Sequence, residues 1–171
     1  MGRHLQRAIQ NLMRQLIALS SRVEESIRMA VKSLEKRDEE MAKNVIETDE
    51  EIDQKEIDIE EECLKILALH QPVAIDLRYI IAALKINNDL ERIGDLAMDI
   101  AEHALILIEN PRPIKYFDFN FMFENVQNML RKSLDSLVHL DSNKAFEVLE
   151  EDDRVDEIDN QICKEVLQEI K

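Results

Sequence analysis

Glu91, Asp95 and Asp99 stand four residues apart in the stretch NDLERIGDLAMDIAEH (88–103), with Gly94 between the first two acids. Apart from Gly2, Gly94 is the only glycine in the chain. Glycine inside a helix costs about 1 kcal/mol relative to alanine, and like charges at i and i+4 add a smaller penalty. A helix that accepts both in one turn has a use for them. Carboxylates at this spacing project side by side, with Cβ atoms about 6 Å apart. Two such pairs on neighbouring helices would surround one spot with oxygen donors, and that is the chemistry of a cation site.

The partner pair is Asp49 and Asp53. At about 100° per residue, Asp49, Asp53, Glu56 and Glu60 form one narrow stripe. Val45, Ile52 and Ile59 flank it on one side, with Ile46, Ile57 and Leu64 on the other. The opposite face carries Glu47, Glu51, Lys55, Asp58, Glu62 and Lys65, so the stripe is expected to aim at neighbouring helices rather than at bulk water. On the segment that holds Gly94, the same projection gives an expected packing face of Ile75, Tyr79, Ala82, Ile86, Leu90, Ile93, Ala97, Ile100 and Ala104. Glu91 and Asp95 lie roughly opposite. A seam of Ala83, Asn87, Gly94 and Ala101 runs between the two faces, and the missing side chain at Gly94 lets a neighbouring helix or a bound group come close.

Carboxylates gathered in a partly apolar groove must be protonated, paired with arginine or bound to cations. Arg92 alone cannot neutralise this set. An all-oxygen group without thiolate or histidine suits magnesium, manganese or iron better than a structural zinc. The competing reading is a solvated charge pattern, since 35% of the residues are charged and ion-pair networks also produce such clusters. Three features together favour a site: the apolar flanks, the unexplained glycine, and the return of DxxxD elsewhere in the chain.

That return belongs to an internal repeat with an offset of 103 residues. Residues 23–68 align without gaps on 126–171, with 13 of 46 positions identical. Asp38, Asp49, Asp53 and Ile59 recur as Asp141, Asp152, Asp156 and Ile162. Apolar spacing predicts helices over about 5–34, 41–69, 73–108, 123–139 and 144–171. Asp38 is the expected cap of the second, Pro72 suits the first turn of the third, and ENPRPIKYFDFNF (109–121) reads as a linker. The expected fold is therefore all-α, a tandem repeat of antiparallel three-helix bundles over 1–113 and 114–171, the second incomplete. The second copy stops at Lys171, opposite Ala68, before any counterpart of the Gly94 helix. Two helices alone leave an apolar face open, so a missing segment of about forty residues or a covering partner is expected.

Bulk properties agree with an all-helical chain. Two glycines, three prolines and no tryptophan in 171 residues leave few places for tight hairpins. A net charge of −15 and a pI near 4.7 argue against nucleic acid or anionic membrane surfaces and for cations or basic protein surfaces. MGRHLQRAIQNL is charged and amphipathic rather than a signal peptide, and no apolar run approaches about 18 residues, so a cytoplasmic location without membrane insertion is expected. Cys63 and Cys163 lack metal-binding spacing. A di-metal enzyme of the ferritin-like kind needs Glu-x-x-His, and Leu67, Ile100 and Ser136 stand where that glutamate would precede His70, His103 and His139. No nucleophile, base and orienter triplet is readable, so the chain is not expected to be an enzyme.

The segments RHLQRAIQNLMRQLIALSSRVEESI, ETDEEID, P..IDLR and LERIGDLA together resemble the PhoU family of bacterial phosphate-regulation proteins over nearly the whole chain. The resemblance implies two three-helix bundles whose E/DxxxD motifs bind multinuclear clusters of iron or other metal ions. Carried over by position, it implies Asp49, Asp53, Glu91 and Asp95 for one cluster and Asp152 and Asp156 for a second. The metal could be Fe, Mn, Mg or Zn. Asp99 departs from the asparagine more usual at its position, and the second unit lacks its ERIGD helix. The family further implies a negative regulator of phosphate uptake and of the phosphate-starvation response. It would link the ATP-binding subunit of a phosphate ABC transporter to a sensor histidine kinase, with a homodimer as the expected assembly. Alternatives are a metal-independent helical docking module, a di-metal carboxylate enzyme, and an accessory domain of a sodium–phosphate cotransporter.

Overall fold

The computed structural model describes residues 3–110 and 119–169, apart from the side chains of Phe119, Asn120 and Glu169. Most of the expected linker therefore lies outside the described residues. Five α-helices are present and, among the described residues, no strand: α1 (Arg3–Lys36), α2 (Glu39–His70), α3 (Ala74–Glu109), α4 (Phe119–His139) and α5 (Ser142–Glu169). No helix of the described residues is long and apolar enough to cross a membrane. The chain divides into two compact units, Met1–Arg112 and Pro113–Lys171.

In unit 1, α1, α2 and α3 each pack against both of the others. The core positions follow a three-four alternation, broken on α2 at half-buried Glu56 and widened on α1 by Met13, Ser20, Ile27 and Val31. On α1 they run Leu12, Leu16, Leu19, Val23, Ser26, Ala30 and Ser33; on α2, Ala42, Val45, Asp49, Ile52, Ile59, Cys63 and Ile66. On α3 they run Ile80, Ala83, Asn87, Leu90, Gly94, Ala97, Ala101 and Ala104. This is the 3.5-residue repeat of helices that wind around one another with knobs set into holes. Each fully buried leucine or isoleucine in such a core contributes roughly 1.5–3 kcal/mol.

Sequence projection misplaced the packing face of α3. Of the face expected there, Leu90, Ala97 and Ala104 are buried; Ile86, Ile93 and Ile100 are half-buried, and Ile75 is exposed. The seam of Ala83, Asn87, Gly94 and Ala101 is the true core line. The expected line and the true one share Leu90, Ala97 and Ala104 and the same seven-residue period. The expectation centred on the flank of Ile86, Ile93 and Ile100, whereas α3 turns the flank of Asn87, Gly94 and Ala101 to the core. Small residues on that line let α1 and α2 approach the α3 backbone, while the isoleucines pack along its shoulders. The acidic stripe of α2 needs a similar correction. Val45, Ile52 and Ile59 are buried, but Ile57 and Leu64 face outward, so the stripe borders the core on one side only.

The hinge between α1 and α2 explains part of the repeat. Arg37 adopts φ 52°, and the Asp38 N–H reaches back to the Ser33 carbonyl at 3.0 Å, closing α1 in a left-handed C-terminal turn. Asp38 then accepts from the Met41 N–H at 3.0 Å and caps α2. Unit 2 repeats these bonds, and its capping aspartate takes a second amide. Leu140 has φ 52°, Asp141 N–H reaches Ser136 O at 2.9 Å, and Asp141 Oδ1 accepts from Asn143 and Lys144 N–H. Identity at these positions preserves a tight reversal. Pro72, by contrast, is buried just before Val73, the N-cap of α3, rather than in the first turn.

Unit 2 is a hairpin of α4 on α5. Among its described residues Leu134 alone is buried, and Phe121, Phe146, Leu149 and Leu167 are all more than half exposed.

Candidate metal centre

The antiparallel register of α2 and α3 sets Asp49 against Gly94. A Cβ on Gly94 would lie 3.1 Å from Ile52 Cγ2, 3.3 Å from its Cδ1 and 3.6 Å from Asp49 Oδ1. The glycine removes a side chain where α2 presses closest, and the cost of glycine within a helix has its explanation there. Asp49, Asp53 and Asp95 each bring one carboxylate oxygen to within 4.8 Å of the other two. Three acids from two helices thus share one crevice.

Asp49 is 8% exposed, and its Oδ1 is buried without any hydrogen-bond partner. Asp95 is half-buried and Asp53 exposed, so the crevice opens to water at one edge. Among the described residues, no lysine, arginine or histidine pairs with Asp49, Asp53, Glu91 or Asp95. Burial first, and then the like charges of Asp53 and Asp95, raise the Asp49 carboxyl above its ordinary value. Glu91 is half-buried and lies outside the three-oxygen group. Its carboxyl is raised by burial and then by Asp95, Asp53, Glu56 and Asp49, so it borders the same negative field. A buried acid oxygen with no donor, beside two more carboxylates and no counter-charge, fits a hard or borderline cation with oxygen ligands.

Asp152 and Asp156 are exposed on α5, and among the described residues they join no group of three converging ligands. Their repeat mates owe convergence to Asp95 on α3, and unit 2 as described has two helices. Cys63 takes no part: burial, followed by the charges of Glu62 and Glu60, pushes its thiol up to about 12, leaving it a neutral core group.

Two residues beside the site went unassigned by sequence reasoning. Asn87 is fully buried and donates Nδ2 to both the backbone oxygen and Oε1 of Glu56, each at 2.9 Å. Glu56 was expected in the acidic stripe; heptad phasing of α2 would also have put it on the core line, seven residues from Asp49. Its carboxyl is raised by burial and by Glu60 and Asp53, while the Asn87 bond works against the shift.

A family model described as the PhoU domain matches residues 16–104 and 119–171. A phosphate-specific transport system accessory protein PhoU homolog of Aquifex aeolicus is 42% identical over 153 residues, covering 90% of this chain and 69% of the relative. One from Pseudomonas putida is 41% identical over 142 residues, covering 82% of this chain and 56% of the relative, so this chain spans little more than half of that protein. The crystal structure of PhoU from Pseudomonas aeruginosa superposes with a TM-score of 0.90 at 34% identity, over 96% of this chain and 79% of that one. These are names of accessory proteins of phosphate transport, not of enzymes. With matching sequence, bundle and repeat, the chain belongs to the PhoU family.

Proposed function

We propose that this chain serves phosphate transport as a metal-binding adaptor, a negative regulator of phosphate uptake and of the phosphate-starvation response. It works in the cytoplasm as a homodimer and links the ATP-binding subunit of a phosphate ABC transporter to a sensor histidine kinase. Family membership and the accessory names of the relatives support the pathway. The observation that carries the mechanism is the convergence of Asp49, Asp53 and Asp95 beside Gly94, with one buried Asp49 oxygen unsatisfied.

Asp49, Asp53 and Asp95 would hold the cation, with Glu91 at the rim. A bound iron, manganese, magnesium or zinc ion supplies the positive charge this groove lacks and ties α2 to α3. Asp152 and Asp156 are the corresponding pair of unit 2, half of a second site that needs further oxygen donors from outside the α4–α5 hairpin. The net charge of −15 suits docking to basic partner surfaces.

The test pairs elemental analysis with a phosphate-starvation reporter in cells. Protein purified without added metal should carry stoichiometric metal that Asp49→Asn with Asp95→Asn removes, and the same double variant should derepress the reporter. Metal-free wild-type protein that still represses would overturn the metal reading and leave plain protein docking.

A further inference from the structure

Away from Gly94, the outer groove between α2 and α3 turns apolar. Glu91 shares the negative field of Asp53 and Glu56, which fixes the side of α3 that borders the groove. Leu84 and Leu77 continue that side one and two heptads before Glu91, and Ile81 lies between them. On the antiparallel α2, Ile57 and Leu64 follow Asp53 along the outer edge. Ile57, Leu64, Leu77 and Ile81 are 46%, 53%, 39% and 40% exposed. Single exposed leucines are ordinary, but a contiguous group of this kind on one face marks an interaction surface.

The two walls carry opposite charge. On α2, Glu60 and Glu61 each stand three or four residues from both Ile57 and Leu64. On α3, Arg78 and Lys85 stand three before and four after Ile81. All four charged residues are exposed, and among the described residues none of them forms an ion pair. Asp89, four residues after Lys85, does not pair with it. The walls are also level. Asn87 meets Glu56, so Glu60 and Glu61, four and five residues on, stand beside positions 83 and 82 of α3, between Arg78 and Lys85.

We infer that this face is the interface of the homodimer, with a second copy of the chain docked on it about a two-fold axis that runs along the groove. The inference rests on the homodimer reading of the preceding subsection and gives it a surface. Rotation about a line parallel to the helices keeps every residue at its level and sets α2 of one copy against α3 of the other. Glu60 and Glu61 then oppose Arg78 and Lys85 of the second copy, twice over, and the apolar side chains meet between them. A two-fold interface has to be self-complementary in this way. Rotation about a line across the helices would set α2 on α2 and acid on acid, which repels. Apolar burial supplies the affinity, while exposed charge pairs fix register more than strength. The contact is confined to this end of the groove, because Asp53, Glu91 and Asp95 of two copies would repel one another at the Gly94 end.

The experiment measures the mass of the full chain by light scattering across a dilution series in chelator, with circular dichroism to check helicity. Wild type should be a dimer. Leu64→Glu with Ile81→Glu alters only exposed positions and should raise the dimer Kd about tenfold or more at unchanged helicity. An acidic variant, Arg78→Glu with Lys85→Glu, and a basic one, Glu60→Lys with Glu61→Lys, should each weaken self-association about tenfold, because every pair across the interface becomes like-charged. Mixed in equal amounts, these two should form a heterodimer, since each α2 then meets an α3 of opposite sign. If the apolar variant or either charge variant dimerises as tightly as wild type, or if mixing restores nothing, this interface falls while the homodimer reading stands. A wild-type chain that stays monomeric throughout overturns both.

Discussion

Units 1 and 2 carry the same hairpin, yet its aligned residues live in different surroundings. Ala42 and Val45 are buried, whereas Ala145 is exposed and Val148 half-buried. Asp49 lies at 8% exposure, and Asp152 is exposed. The reversals that join the helices share the same closing and capping bonds, so the hairpin turns the same way in both places. What differs is α3. A third helix turns one flank of an acidic stripe into core and brings Asp95 to face Asp49. On the cation reading proposed above, the DxxxD pair is a half-site, and the helix that buries Asp49 also supplies the third acid.

The strongest way to break this comparison is to remove the same side chain from both units. Ile59 is 2% exposed on α2, and its repeat mate Ile162 is half-buried on α5. Ile59→Ala should destabilise unit 1 by about 2–5 kcal/mol, the range for a buried isoleucine cut to alanine. Ile162→Ala should cost less than about 1 kcal/mol, because neighbours and water refill a half-open position. Amide hydrogen exchange resolves α2 from α5 and reads the two effects separately. Equal losses would mean that the third helix contributes nothing to burial at this position.

A smaller effect, aimed at the contact between α2 and α3, comes from Gly94→Leu. The first added carbon already meets Ile52 at 3.1 and 3.3 Å, and the rest of the side chain has to displace α2. Overpacking of this kind costs typically 1–3 kcal/mol, partly offset by about 1 kcal/mol of better helix propensity. The expected result is a net loss of about 1–2 kcal/mol in urea denaturation, with loss of metal binding in dialysis. Unchanged stability and metal content would show that the close approach at Gly94 is incidental.

Gly94 was legible as a contact because its cost was visible in one dimension: a glycine between acids in a helix has no local excuse. The aspartates were legible for a related reason, since a four-residue spacing fixes a face whatever the partner. The repeat exposed the hinge through Asp38 and Asp141. Burial on α3 was not legible at the same level. Projection favoured the flank of large isoleucines at 86, 93 and 100, while close packing selected the small residues one position on, Asn87, Gly94 and Ala101. Asn87 was placed in the seam but given no partner, and its bond to Glu56 emerged only once both helices were in register. Burial of Asp49 against exposure of Asp53, four residues away, also depends on where α1 and α3 lie, which α2 alone does not encode.

The gentlest test asks whether α3 changes the chemistry of an aspartate or merely its exposure. Burial, then Asp53 and Asp95, raise the Asp49 carboxyl above its ordinary 3.8 in the folded state. In metal-free protein the folded chain keeps this proton while the unfolded chain has already released it. Stability is therefore fullest below 3.8, declines as pH rises through the raised folded value, and stays level beyond it. Asp49→Asn cannot ionise and should remove that decline, so that in excess chelator the variant is more stable than wild type at neutral pH and its advantage shrinks towards acid. Asp152→Asn changes an exposed residue and should stay within about 0.5 kcal/mol of wild type at every pH. Urea denaturation of the three chains in chelator, from acid to neutral, gives the contrast directly. Added Mn(II) should reverse the order for Asp49→Asn alone, because ionised carboxylates that repel one another without a cation become its ligands when one is present. Matching pH profiles for the two variants would mean that the crevice beside Gly94 leaves its aspartates as they are in water.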